Sequence, residues 1–389
     1  MNAVWHFGWL AVPVAAGVLQ SANASDERET QWRWEDVPRV VAFSDVHGAH
    51  EQLVSLLQAA DIVDDQLRWT GGETHVVSVG DLIDRGPDSR GVLDLVMRLQ
   101  EEASAAGGHF HVVLGNHELM NMMADFRYVT DEDFAAFAGE ESVAIRDSAF
   151  THFRAAHGPR PVEESRAEFD GRYPPGYFGR RAAFAPTGRY GRWLLGLPLI
   201  VVIDDSAFVH GGLSPLVSKL GGAALNENLR REVRDFLELW HRFVEAGVVA
   251  WDADAVIAAD EVAAMLKDNS NSSTKLDDSI LTAAREFVEL SESPALNEHG
   301  PLWYRGTAWC HPLLESAVLE PALERLDVGR VIVGHSPTSN RRIVSRMGGR
   351  VILVDTGMFA PHFHGRPAAL VIERSRLAAI YPGEPDRTT

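Results

Sequence analysis

The stretch that most constrains this chain is residues 75–86, HVVSVGDLIDRG. An apolar run at 76–79 reads as a buried strand that stops at Gly80 and delivers Asp81 and Asp84, then Arg85 and Gly86, before Pro87 turns the chain. Strand ends of this kind are where layered α/β proteins keep their chemistry. Two carboxylates three residues apart beside a guanidinium let one face a metal while the other orients a proton donor and Arg85 grips an anion.

The same grammar recurs four more times. Apolar residues 40–43 precede Asp45, Val46, His47 and Gly48, and 112–114 precede Gly115, Asn116, His117 and Glu118. Residues 207–209 precede His210, Gly211 and Gly212, and 331–333 precede Gly334 and His335. Five strand ends thus offer two Asp, four His and one Asn, with Asp84 besides. Between them, 51–60 and 89–102 have helical spacing, so strand, loop, helix, strand repeats as the crossover unit of an α/β fold.

The spread of these clusters from Asp45 to His335 argues for one catalytic domain, residues 25–389, with insertions at 119–192 and 213–300. The first insertion mixes aromatic, Arg, Gly and Pro residues without clear period and reads as a cap over the site. The second is too long for a loop and must be helical, its strongest helix at 225–246. Residues 193–203 and 207–209 read as a strand pair turning at Asp204 and Asp205, and 351–354 and 368–373 as further strands before a loose polar tail.

Composition narrows the function. A chain of 389 residues that is 46% hydrophobic can bury a large core, and a net charge of −19 argues against a nucleic-acid footprint and against residence on anionic lipid. The single cysteine, Cys310, excludes an intramolecular disulfide framework; it reads as a buried structural thiol, and Ser316 stands where a cysteine phosphatase needs Arg. Residues 1–24 carry no Asp, Glu, Lys or Arg and end in Ala22, Asn23, Ala24, a small-x-small pattern expected of a signal peptide cleaved after Ala24, the alternative being an uncleaved anchor. Export to a periplasm or beyond follows, with no stable membrane insertion once the segment is removed.

Mixed oxygen and imidazole donors suit a pair of divalent cations bridged by one carboxylate. Asp45, His47 and Asp81 make the first site, and Asp81, Asn116, His210 and His335 the second; the set suits Mn²⁺, Fe or Zn²⁺ alike. The series DVHG, GDLIDRG, GNHE, HGG and GH resembles the calcineurin-like metallophosphoesterases of the phosphoprotein phosphatase branch. The run GNHELMNMMADFRYV, with PLWYRG at 301–306, is most similar to the Shewanella-like protein phosphatases.

That resemblance implies a central sandwich of two sheets flanked by helices, with a dinuclear centre at the strand ends. It implies His117 as proton donor to the leaving group, Asp84 as the carboxylate that orients it, and hydrolysis by a metal-bridging hydroxide. The sequence departs from the eukaryotic relatives at Leu114, where they carry Arg, and at Ser44, where they carry Gly. Arg85 and Arg305 are then the foremost phosphate ligands, with Arg180, Arg181 and Arg127 behind them in the cap. The expected enzyme is an exported phosphomonoesterase acting on phosphotyrosine or phosphoserine/threonine in proteins. Its rivals are a small-molecule or diadenosine-tetraphosphate-type hydrolase and a silent metal-binding adaptor.

Overall fold

The computed structural model describes residues 31–389 apart from 159, 272–276, 375, 385–386 and 389, so the leader expected at 1–24 lies outside the described residues. In chain order the strands are β1 (Arg33–Trp34), β2 (Arg39–Phe43), β3 (His75–Ser78), β4 (His109–Val112), β5 (Ile200–Ile203), β6 (Ser206–Val209), β7 (Arg330–Val333), β8 (Val344–Arg346), β9 (Val351–Leu353), β10 (Ala369–Glu373), β11 (Arg376–Ile380) and β12 (Arg387–Thr388). They form two six-stranded sheets, ordered β12-β11-β10-β2-β3-β4 and β1-β5-β6-β7-β9-β8.

Alternate residues explain why the sheets stack. Val40, Ala42, Val77, Val79, Val113, Val201, Phe208, Ile332 and Ile352 form a dry layer between them. The intervening Val41, Phe43, Val76 and Val112 face the outer helices. Burial on both faces accounts for the uninterrupted apolar runs of the sequence.

Parallel pairing then places the chemistry. β2, β3 and β4 run parallel, with Val41 opposite Val76 and Val76 opposite Phe110, joined by the helices His50–Ala59 and Ser89–Ala105. β6, β7 and β9 run parallel in the other sheet, with Val209 opposite Val333 and Val333 opposite Leu353. The polar residues after each strand therefore emerge together. His210 Nδ1 donates to the Val79 carbonyl at 2.7 Å and the His335 amide to Asp45 Oδ2 at 2.9 Å, so both sheets feed one site.

Several expectations need correction. The strand expected over 193–203 is confined to β5, because Arg189–Leu194 is helical and Gly196 and Pro198 intervene. The tail is not loose: β11 pairs antiparallel with β10, Ala369 opposite Ile380, burying Ala379 and Ile380. Cys310 is exposed, not a buried thiol, because it ends the short helix Gly306–Trp309 at the surface. Both inserted regions are helical, and Leu225, Leu229, Val233 and Trp240 of Gly222–Glu245 join the main core. Among the described residues no helix is long and apolar enough to cross a membrane.

Candidate active site

The strand-end loops turn tightly enough to require unusual backbone. Asp45 (φ 52°), His47 (φ 50°), Asp81 (φ 55°), Asp84 (φ 71°), Arg85 (φ 68°) and His335 (φ 62°) all occupy the left-handed region, which costs on the order of 1–3 kcal/mol per non-glycine residue. Packing offsets that strain. The loops after β2 and β3 are zipped by Asp45 N–H to Gly80 O at 3.0 Å, His47 N–H to Asp81 O at 3.0 Å and Gly48 N–H to Leu82 O at 2.9 Å. Glu118 joins the third loop to them, accepting from the amides of Gly115 (2.9 Å), Asp81 (3.0 Å) and Leu82 (2.8 Å). A Cβ at Gly80 would lie 2.6 Å from His210 Nδ1 and 2.8 Å from Gly115 Cα, so only glycine fits there.

All the candidate ligands are buried and converge. Around His210 Nε2 lie Asn116 Oδ1 at 2.9 Å, His335 Nδ1 at 3.1 Å and Asp81 Oδ1 at 3.3 Å. Donors bonded to a common cation at about 2.1 Å lie about 3 to 3.5 Å apart, so this spacing fits one ion. Asp81 Oδ2 faces the other way, 3.9 Å from both His47 Nε2 and His117 Nε2, and Asp45 Oδ1 is 3.9 Å from His47 Nε2. Two triads with one donor apiece within 4.8 Å of one another result, His47–Asp81–His117 and Asp81–His210–His335, sharing Asp81. His117 stands in the first beside the expected ligands.

The imidazoles divide by their neighbours: burial works against charge on His210, but Asp81 and Asp45 outweigh it and raise it to about 10, so a cation there would have to displace its proton. Burial lowers His47 to about 3 and His335 to about 2, keeping both imidazoles neutral, the ligand form. The Ile83 carbonyl, 3.1 Å from His47 Nδ1, and the Val79 carbonyl at His210 Nδ1 leave each Nε2 facing the site. Burial raises Asp45 well above the carboxylate range, and Asp355 and Asp81 beside it add to the rise. Burial also opposes the charge of Asp81, but His210 and His117 more than offset it and hold its carboxyl well below the usual value. Asp45, Asp81 and Asp355 crowded together away from the surface, with a buried Asp355 Oδ2 that has no partner among the described residues, suit a site completed by cations.

His117 is held as a donor. Its Nδ1 donates to Asp84 Oδ2 at 2.7 Å, turning Nε2 toward the cavity. Burial works against the imidazolium, yet Asp81 and Asp84 outweigh it and raise the pKa. Asp84 is itself fixed: Oδ1 accepts from Asn121 Nδ2 at 2.9 Å and pairs with Arg180 at 3.4 Å, while its amide donates to Ser89 Oγ at 2.9 Å.

The arginines separate by what they touch. Arg85 and Arg305 line a cavity of about 440 Å³ over the ligands, and among the described residues neither has a carboxylate partner. Arg305 donates to the His335 carbonyl at 3.0 Å and Ser336 Oγ at 3.2 Å, under Trp309 at 4.7 Å; Arg85 stacks on Tyr128 at 4.2 Å and donates to His362 Nε2 at 2.9 Å. Arg127 lines the cavity but is held by Asp125 at 2.8 and 2.7 Å. Arg180 does not reach it. It is fully buried behind Asp84, paired with Asp84 and with Asp133 at 3.3 Å. Arg181 likewise turns away, to the Ala253 carbonyl at 3.2 Å and the Trp240 ring at 5.3 Å.

The calcineurin-like phosphoesterase family matches residues 38–339, which contain every candidate ligand. The chain belongs to that family. It is therefore a metal-dependent phosphoesterase, and the two-sheet fold is the one expected. Shewanella-like protein phosphatase 2 of Arabidopsis thaliana is 34% identical over 230 residues, 57% of this chain and 58% of that protein's own length. Shewanella-like protein phosphatase 1 of Plasmodium berghei is 22% identical over 344 residues, covering 88% of this chain and 74% of the relative. The solved structure of a cold-active protein-tyrosine phosphatase of a psychrophilic Shewanella species shares the fold, with a TM-score of 0.58 at 23% identity over 94% of this chain and 84% of that one.

In this phosphoesterase one site residue went unnoticed in the sequence. Asp355 lines the cavity; its Oδ1 accepts from the Gly357 amide at 2.9 Å, and its buried Oδ2 has no partner. Burial pushes its carboxyl up, against the bond from Gly357, and Asp81 pushes it further. The signal was present, since Asp355 follows the apolar run 351–354 as Asp45 follows 40–43. Leu114 packs with Met122, Leu194 and Val233, away from the cavity.

Proposed function

We propose that this phosphoesterase is a dinuclear phosphomonoesterase acting on phosphorylated proteins, phosphotyrosine among them. The observation that carries the reading is Asp81, whose two oxygens face two separate ligand sets. Asp45 and His47 complete one set, and Asn116, His210 and His335 the other. Two divalent cations held there would lower the pKa of water at the site and neutralise the phosphoryl oxygens. Mn²⁺, Fe and Zn²⁺ all suit the donors.

The chain's own residues supply the rest. Arg85 and Arg305 grip the phosphoryl group, being free of carboxylates. His117 Nε2 gives its proton to the leaving oxygen, and Asp84 stabilises the imidazolium before transfer. Asp355 Oδ2 accepts a hydrogen bond from water in the cavity, which orders it for attack. Tyr128, Trp303, Trp309 and Phe363 line the cavity wall, an aromatic surround that suits an aryl ester and favours phosphotyrosine. The leader-like composition of residues 1–24 supports export as the setting.

Metal-reconstituted protein assayed on phosphopeptides, nucleotides and sugar phosphates tests this reading. Phosphopeptides, led by phosphotyrosine, are expected to have the highest kcat/KM. A dominant activity on dinucleoside polyphosphates or sugar phosphates would refute the substrate assignment.

A further inference from the structure

The catalytic cavity does not end at its aromatic wall. Trp303, Arg305 and Trp309 line it on one side and a second, larger depression of about 910 Å³ on the other, so the two are one groove divided by these side chains. The second half is built by the segment running from Glu292 to Cys310, with Leu296, Tyr304 and Gly306 among its lining. We propose that it binds the polypeptide flanking the phosphorylated residue and selects chains with basic and apolar residues beside it. This rests on the phosphoprotein reading above and specifies its substrate class.

Three observations converge. The groove is larger than the cavity that receives the phosphoryl group, and a small ester would leave it unused. Its lining carries His299 and, at the dividing wall, Arg305, but also Glu292 and Glu298, neither of which has an ion-pair partner among the described residues. Trp309 in its wall is 64% exposed, and shortly after it in the chain Leu313 and Leu314, at the start of the helix Pro312–Leu326, are 81% and 72% exposed. Three large exposed apolar side chains within six residues, the first of them in the groove wall, make an apolar patch of the kind that marks a binding surface.

The charge pattern selects the occupant. The phosphate dianion belongs with Arg85 and Arg305, while two unpaired carboxylates wait beside them for cations. A dinucleoside polyphosphate would set further negative charge against Glu292 and Glu298. A phosphopeptide with Lys or Arg near the phosphoresidue meets both halves, and its basic flank also offsets the repulsion between a phosphate and a protein of net charge −19.

The test compares wild type, Glu292→Gln/Glu298→Gln and Leu313→Ser/Leu314→Ser, all metal-loaded. The substrates are nitrophenyl phosphate and phosphotyrosine peptides carrying Arg-Leu, Ala-Ala or Glu-Leu on either side. Wild type is expected to favour the Arg-Leu peptides, and the glutamine pair to lose about tenfold in kcat/KM on them, most at low salt, with nitrophenyl phosphate turnover unchanged. The serine pair should raise KM for the Leu-bearing peptides alone. Peptide turnover indifferent to flanking charge and to both variants would overturn the groove assignment while leaving the phosphoprotein reading intact. Turnover of nucleotides with none of any peptide would overturn both.

Discussion

At the scale of single residues, the role of each group depends on which side of Asp84 it stands. His117 faces the cavity, so His117→Asn should lower turnover by about 10²–10⁴ on alkyl phosphates such as phosphoserine but far less on nitrophenyl phosphate, whose leaving group needs little protonation. Equal losses on the two substrates would remove His117 from the acid role. Arg180 stands behind Asp84, so Arg180→Lys should act through His117, reproducing that leaving-group dependence in weaker form while leaving inhibition by inorganic phosphate unchanged. Weakened phosphate inhibition would instead return Arg180 to the cavity. For Arg305, which has no acid partner, Arg305→Lys should cost on the order of 10–100-fold in kcat, because an ammonium cannot replace a two-point guanidinium contact. The sequence made the ligands legible because each follows an apolar run. It could not show whether a cap arginine approaches Asp84 from the cavity or from behind, which is why Arg180 reads from sequence as a phosphate ligand ranked behind Arg85.

At the scale of elements, the strand ends are rigid and the opposite ends carry a different chemistry. Gly115→Ala would put a Cβ 2.3 Å from the Asp81 amide and 2.4 Å from Glu118 Oε2, breaking the joint between the loops after β3 and β4. Metal affinity and stability should fall together, measurable by metal titration and thermal unfolding. At the start of β3 and β4, His75, His109 and His111 share one face under Trp34, with His111 Nε2 3.1 Å from His75 Nδ1 and the Trp34 ring 4.3 Å from His111. Burial lowers His75 to about 4 and also lowers His109 and His111, with neighbouring imidazoles adding to the effect at His75 and His111. The unfolded chain therefore binds more protons than the folded one below about pH 6.5, so this face is fully stabilising above that pH and its contribution is lost as the pH falls toward 4. Thermal unfolding of His111→Phe should show a shallower drop in Tm between pH 7 and 5 than wild type. An identical drop would mean that these imidazoles do not control it. β2, β3, β4 and β7 were readable from their uninterrupted apolar runs. β1 and β11 were not, because two residues at Trp34 gain strand character only from β5, far along the chain, and the mixed run 376–380 only by folding back on β10 in a tight hairpin.

At the scale of the molecule, two sheets that lack a site individually make one by facing the same way. The first brings Asp45, His47, Asp81, Asn116 and His117, the second His210, His335 and Asp355, and among the described residues Asp81 is the one shared by both metal-ligating triads. The fold was legible as α/β because five apolar runs end in polar clusters; the groove beyond Trp303 was not, since it depends on how the long helical insertion returns to the site. Metal content of purified, reconstituted wild type and Asp81→Asn, measured by mass spectrometry alongside turnover, decides whether Asp81 joins two cations. Wild type should hold about two equivalents of divalent metal, and Asp81→Asn should lose at least one of them together with activity, because a neutral amide cannot balance two cations. Two equivalents retained in Asp81→Asn with near-normal turnover, or full activity of wild type with a single equivalent, would contradict that role.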